Sequence, residues 1–107
     1  MTGGNGDRLK IELDGRSPGE ATLRLVGELD LVTAPMLRDE LTRHQARGRR
    51  TVLDLSEVGF LDSTGLVLLM EAAREPGHTI ALRRGLSPSV ARLFQVTRTE
   101  DLFDWVD

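Results

Sequence analysis

The stretch from Thr51 to Ala73 constrains the fold of this chain more than any other. Thr51-Val52-Leu53-Asp54-Leu55 is a β-branched and apolar run without clean alternation, the pattern of a central strand covered on both faces. Ser56 to Phe60 is read as a connection. Asp62-Ser63-Thr64-Gly65 then precedes Leu66, Val67, Leu68, Leu69, Met70, Ala72 and Ala73, an apolar stretch too long for one strand. It predicts a largely buried helix starting within a residue or two of Ser63 and ended by Pro76-Gly77. A central strand leading into a buried helix places the chain in the α/β class.

The flanking segments extend that reading. Leu9, Ile11 and Leu13 alternate with Lys10 and Glu12 until Asp14-Gly15 breaks the period, and Ala21, Leu23 and Leu25 alternate with Thr22 and Arg24. With Ser17-Pro18-Gly19 between them, the two strands form an antiparallel hairpin. A helix is expected from Thr33, whose hydroxyl is suited to capping, through Pro35 in the first turn to about residue 47. Leu37 and Leu41 mark its apolar face, Asp39 and Glu40 follow near its positive end, and Gly48 terminates it. Thr79 to Leu82 reads as another strand. Ser87-Pro88 opens a third helix bearing Val90, Leu93 and Phe94, and Leu102, Phe103 and Trp105 close the chain as a short amphipathic tail. Strands separated by single helices imply right-handed crossovers and parallel neighbours, so the expectation is a single domain with a mixed β-sheet covered by amphipathic helices. At 107 residues there is room for one such domain, taken as residues 9–107 after a Gly-rich flexible tail over residues 1–8.

Composition removes several function classes. The chain has no cysteine, which excludes disulfides, thiolate zinc sites and thiol catalysis. Two histidines remain, and His44 reads as a rim residue of its helix rather than a metal ligand, since no second ligand sits at helical spacing. A net charge of −3, with one Trp, three Phe and no Tyr, argues against a nucleic-acid partner. The local basic cluster of Arg47, Arg49 and Arg50 has two readings, a solvated helix end and a partner-binding patch, and the first is favoured because cations suit a helix C-terminus. No apolar run approaches the roughly 20 residues of a membrane span, and the N-terminus lacks a secretory pattern. The expectation is a cytoplasmic protein without a membrane partner and monomeric when free. Gly-x-x-x-x-Gly-Lys is absent and the only lysine is Lys10, so no cofactor and no self-contained ATP hydrolysis are expected.

The candidate chemistry lies beyond the carboxyl ends of the second and third strands, where Gly27-Glu28-Leu29-Asp30 and Glu57 to Asp62 would share one rim and bring Asp30 near Ser63. Ser63 admits three roles. As a nucleophile it lacks both a Gly-x-Ser-x-Gly elbow and a placed histidine, so no enzyme is expected. Asp62 or Ser63 can cap the following helix. A hydroxyl at a helix N-terminus is also a place where a phosphoryl group is accommodated. Asp54 and Asp62 have acid–base potential as a pair, but Asp54 is better read as a strand-end carboxylate satisfied by loop amides.

Val52-Leu53-Asp54-Leu55-Ser56 followed by Phe60-Leu61-Asp62-Ser63-Thr64-Gly65-Leu66 resembles the core signature of the STAS domain, the fold of bacterial anti-sigma factor antagonists. Gly27-Glu28-Leu29-Asp30-Leu31-Val32-Thr33-Ala34-Pro35 is similar to that family's second marker, and Val90-Ala91-Arg92-Leu93-Phe94 with Glu100-Asp101-Leu102-Phe103 to its C-terminal portion. The resemblance spans Leu9 to Val106. It implies a switch: the unphosphorylated protein binds an anti-sigma factor that is also a serine kinase and so frees a sigma factor, phosphorylation ends the binding, and a serine phosphatase restores it. Ser63 matches the phosphoacceptor, with Thr64 as the alternative, and the implied partner surface comprises Glu28, Asp30, Thr33, Leu61, Asp62, Ser63, Thr64, Gly65 and Leu66. Two positions depart from the pattern: Val67 stands where a second glycine is frequent, and Arg98 where a glycine is common after the third helix. The same fold serves other roles, so a scaffold or regulatory subunit that is not phosphorylated is the alternative, and a small-ligand or nucleotide module a more distant one.

Overall fold

A computed structural model describes residues 8–75 and 80–107. Alternating apolar residues make a hairpin of β1 (Leu9–Ser17) and β2 (Glu20–Leu29), joined at Pro18-Gly19. Helix α1 (Ala34–Ala46) leads to β3 (Arg50–Leu61), α2 (Ser63–Arg74), β4 (Ile80–Arg83), α3 (Pro88–Thr97), a single 3-10 turn at Glu100–Leu102 and β5 (Asp104–Val106). The sheet order is β1-β2-β3-β4-β5, with β1 antiparallel to β2 and every other pair parallel. The mixed sheet, the central third strand and a helix starting at Ser63 agree with the expectations from sequence.

The register explains the core. Leu13 pairs with Leu23, Leu23 with Leu53, Leu53 with Leu82 and Leu82 with Trp105, which stacks one apolar row across all five strands. These residues join Leu37 and Leu41 of α1, Leu66, Leu68 and Leu69 of α2 and Val90 and Phe94 of α3 in a single core. The other parity of the same strands carries Lys10, Glu12, Arg24, Asp54 and Arg83, tied by ion pairs that include Arg24–Glu12 at 2.8 Å and Arg83–Asp54 at 3.2 Å. Val52 and Ala81 are buried on this parity without joining the helix-covered core.

Four elements differ from the expected ones. Strand β1 does not end at Asp14-Gly15, because a bulge between Leu13 and Gly15 absorbs the break and pairing resumes to Ser17. Strand β3 runs through Ser56–Phe60, expected as a connection. Long β2 continues beside it, with irregularities at Arg24/Val26 and Gly27/Glu28 keeping Val26 opposite Glu57 and Glu28 opposite Phe60. The tail is an edge strand: Phe103 is buried against Phe94, ring centroids 5.5 Å apart, and Trp105 donates its indole N–H to the Glu100 carbonyl at 2.9 Å. Helix α1 has no acid in its first turn, and its Glu40 and His44 are buried, so His44 is not a rim residue. Pro76-Gly77 as a helix stop, Thr79 at the start of β4 and residues 1–7 of the tail expected over 1–8 lie outside the described residues, while Arg8, the last residue of that tail, is held by Glu28 N–H and the Glu28 carboxylate.

Arg98, standing where the family favours glycine, adopts φ +56°, the left-handed conformation that ends α3. The cost of that conformation for a side chain other than glycine is of order 1 kcal/mol.

Candidate functional site

The site is the rim where β2 and β3 end and where α1 and α2 begin. Two backbone hydrogen bonds close β2 onto its neighbours: Glu28 N–H donates to Arg8 O at 2.8 Å, and Asp62 N–H to Leu29 O at 3.2 Å. Gly27 permits the first, with φ +120° and a position where any Cβ would collide with the Arg8 carbonyl. Gly65 permits the second: a Cβ there would lie 2.6 Å from Leu29 O and 2.6 Å from Leu61 Cδ1. The rim therefore requires glycine where α2 crosses the end of β2.

Asp62 joins the two loops. Its Oδ1 accepts from Gly65 N–H at 2.9 Å and caps α2, as one of the two readings of that cap foresaw, while its Oδ2 accepts from Leu31 N–H at 3.2 Å. One carboxylate thus fixes both the start of α2 and the loop before α1. Ser63, the first residue of the helix, is exposed, and its hydroxyl makes no hydrogen bond among the described residues; Thr64 is half-buried. Asp62 takes the Gly65 amide through its side chain and the Leu66 amide through its carbonyl, so a phosphoryl group on Ser63 would meet the remaining first-turn amides, those of Ser63 and Thr64, and the positive end of the dipole.

The α1 loop is wired differently. Asp30 Oδ1 accepts from Val32 N–H at 3.0 Å and Thr33 N–H at 3.1 Å, and Asp30 O accepts from Ala34 N–H at 2.8 Å. The Thr33 hydroxyl accepts from Asp30 N–H at 2.9 Å and donates to Glu28 O at 2.8 Å. Thr33 therefore does not cap α1 with its side chain, contrary to expectation; it locks the turn from behind, and Asp30 supplies the local acceptor. Ser87 likewise gives its hydroxyl to Val58 O instead of capping α3. Arg8 reaches the carboxylates of both Glu28, at 2.9 Å, and Asp30.

Of the residues expected to form the partner surface, Asp30, Thr33, Leu61, Gly65 and Leu66 are buried and support the rim from within. Glu28, Asp62 and Thr64 are half-buried, and Ser63 faces solvent. The outward apolar surface comes from residues that sequence reasoning passed over: Leu31 at 69% exposure, Val32 at 68%, Phe60 at 50% and Val67 at 49%. A signal was present in Leu31-Val32, two adjacent apolar residues inside a tight Asp-x-x-Thr turn, where neither has a strand or helix face to bury against. Asp54 and Asp62 do not form an acid–base pair. Asp54 Oδ1 accepts from Ser56 N–H at 3.0 Å and Oδ2 from Arg83 at 3.2 Å, as a structural carboxylate would, although it stands in mid-strand. Burial pushes its pKa up, but the Ser56 amide and hydroxyl and the Arg83 guanidinium outweigh that and hold it below the usual carboxylate range. No group of three or more His, Asp or Glu able to hold a metal occurs among the described residues.

A five-stranded mixed sheet with a capped, exposed serine opening the helix after its central strand defines a STAS fold, and residues 12–104 match the family model described as Mlab, STAS domain. The chain belongs to the STAS domain family, the family of the bacterial anti-sigma factor antagonists. It is 32% identical over 100 residues to the anti-sigma-B factor antagonist of Listeria monocytogenes, covering 90% of this chain and 87% of that protein. Among solved structures it is similar to an anti-sigma factor antagonist from Mycobacterium paratuberculosis, with TM-score 0.73, 27% identity and coverage of 94% and 87% of the two chains. The fold is shared with the antagonist SpoIIAA in its unphosphorylated form, with TM-score 0.71, 22% identity and coverage of 91% and 88%.

Proposed function

We propose that this chain is an anti-sigma factor antagonist switched at Ser63. Unphosphorylated, it binds an anti-sigma factor with serine kinase activity and so releases a sigma factor; phosphorylation of Ser63 ends the interaction and a serine phosphatase restores it. The observation that carries the reading is the state of the Ser63 hydroxyl: exposed, unbonded and set at the N-terminus of α2, beside a carboxylate already committed to two backbone amides. Around it the apolar side chains of Leu31, Val32, Phe60 and Val67 offer a contact surface that a partner would desolvate. We infer a regulatory rather than enzymatic role, in the cytoplasm, from the similarity to anti-sigma factor antagonists.

Phosphate on Ser63 adds about −1.5 to −2 charge next to Asp62, at the surface the partner must cover. The helix dipole favours it by only about 0.3–1 kcal/mol, so the fold persists. At the interface, desolvating the dianion acts against binding, and a 100-fold loss of affinity needs only about 2.7 kcal/mol. The test is incubation with candidate anti-sigma kinases and ATP, mapping of the phosphosite by mass spectrometry, and measurement of binding for the wild type, Ser63→Ala and Ser63→Asp. The expected result is phosphate on Ser63, full binding but no phosphate for Ser63→Ala, and binding at least 100-fold weaker for Ser63→Asp with an unchanged Tm. An Asp variant that binds as tightly as wild type, or an Ala variant phosphorylated to the same stoichiometry, overturns the assignment and turns attention to Thr64; binding with no phosphorylation at all leaves the scaffold reading.

A further inference from the structure

At the opposite end of the sheet, the whole twelve-residue length of β3 away from the Ser63 rim, three elements bring arginines together. Arg16 lies beside the β1–β2 turn, Arg43 and Arg47 at the end of α1, Arg49 in the loop that follows and Arg50 at the start of β3. The backbone sets this arrangement. Gly48 at φ +68° reverses the chain between Arg47 and Arg49, and Arg50 N–H donates to Gly19 O at 2.9 Å, pinning the loop to the hairpin turn next to Arg16.

These side chains are not needed to finish the helix. The carbonyls of His44 and Gln45 are already taken by the backbone N–H groups of Arg47, Gly48 and Arg49. Acidic compensation is thin: Glu40, itself buried, serves Arg43 at 3.1 Å, and Glu20 stands 3.9 Å from Arg50. Among the described residues Arg16, Arg47 and Arg49 have no carboxylate partner, and the Arg49 guanidinium lies 3.4 Å from His44 Nδ1. Partial burial, reinforced by Arg16 and Arg47, lowers the pKa of Arg49 below its usual range. Five arginines against two carboxylates leave a local excess of positive charge, centred on Arg16, Arg47 and Arg49, in a chain whose net charge is −3.

We propose that this cluster of Arg16, Arg47 and Arg49 binds a compact multivalent phosphate, of the pyrophosphate or triphosphate class. Guanidinium groups present planar forks of donors that match phosphate oxygens two at a time, and all three are arginine in a chain with a single lysine. A few neighbouring cations without counter-ions call for several negative charges in one small group, which a phosphate chain supplies and a single carboxylate does not. Extended polyanions fit less well. Among the described residues the exposed large apolar side chains belong to the Ser63 rim (Leu31, Val32, Phe60, Val67) or to the end of α3 and the turn before β5 (Val96, Leu102), and none comes from the β1–β2 turn or the α1–β3 loop that carry the arginines, so those segments offer neither a stacking platform nor a bilayer anchor of their own.

The test is calorimetric titration with tripolyphosphate, pyrophosphate and orthophosphate at matched ionic strength, repeated at two salt concentrations, with amide NMR to locate the site. Expected are one site per chain, affinity that falls as salt rises, orthophosphate at least tenfold weaker than tripolyphosphate, and shifts at Arg16 and Arg47–Arg50 with none at Ser63–Leu66. The Arg16→Gln/Arg49→Gln double variant should lose at least tenfold in affinity while its unliganded Tm holds or rises, because like charges are removed; Ser63→Ala should bind as wild type. Absence of binding, orthophosphate binding as tightly as tripolyphosphate, or binding untouched by the double variant overturns the proposal. So does arginine-dependent cosedimentation with phosphatidylserine vesicles without tripolyphosphate binding, which would assign the patch to a membrane surface.

Discussion

Helices α1 and α2 begin within one rim, each preceded by an aspartate and each carrying a hydroxyl residue at its start, yet the two hydroxyls have opposite fates. Thr33 is buried, with its oxygen held between Asp30 N–H and Glu28 O. Ser63 is exposed and unbonded. The difference follows from which side chain supplies the acceptor. At α2 the aspartate immediately before the helix caps it and leaves the hydroxyl idle; at α1 the aspartate sits three residues earlier, turns the loop back on itself and draws the hydroxyl inside. A hydroxyl already engaged as donor and acceptor serves the fold, and an idle one at a helix N-terminus is left to solvent.

The largest expected effect on stability is at the contact that brings the two starts together. Gly65→Ala places a methyl against the Leu29 carbonyl and Leu61, and should cost about 3 kcal/mol in urea unfolding, since neither backbone nor packed leucine can withdraw freely. A cost under 1 kcal/mol would show that the rim is looser than this close approach requires. Thr33→Val, nearly isosteric, should cost about 2 kcal/mol by orphaning Asp30 N–H, whereas Ser63→Ala should stay within about 0.5 kcal/mol. Equal losses for the two would remove the contrast between them.

Asp62→Ala should cost about 1 kcal/mol from the lost cap, and it should also raise hydrogen exchange at Leu31, whose amide loses its acceptor. Unchanged exchange at Leu31 would mean that the two loops are held together without Asp62. The smallest effect is confined to mildly acid pH and belongs to the far end of α1. Burial lowers the pKa of His44; Glu40 opposes this, and Arg49, Arg43 and Arg47 add to it. The unfolded chain therefore takes up a proton that the folded chain refuses: the contribution is fully present above the ordinary histidine pKa of about 6.5 and is lost as pH falls below it. His44→Gln should flatten that part of the stability–pH curve, and an unchanged slope would place its origin elsewhere.

Much of the fold was legible from period and punctuation. Alternation gave the hairpin, the uninterrupted Thr51–Leu55 run gave the centre of the sheet, and Asp62-Ser63 before an apolar stretch gave the start of α2 to within a residue or two, with its cap left between Asp62 and Ser63. Two of the misreadings share one cause. Ser56–Phe60 lacks a strand pattern of its own and is extended because β2 lies beside it; Asp104–Val106 becomes a strand because β4 offers an open edge and Phe94 a surface for Phe103. Pairing partners distant in sequence override weak local preference.

Within the rim the division is sharper. Residue order alone determined that a serine follows an aspartate at a helix start, because capping is local chemistry within four residues. Only the tertiary structure decided which neighbours are within reach. It buried Asp30, Thr33, Leu61 and Leu66 behind the rim and turned Leu31, Val32, Phe60 and Val67 outward. It also stretched the carboxylate of Asp62 across to a loop 31 positions away in sequence. Burial is a property of what packs against a residue, and at this rim the packing comes from strands and helices that the local sequence does not contain.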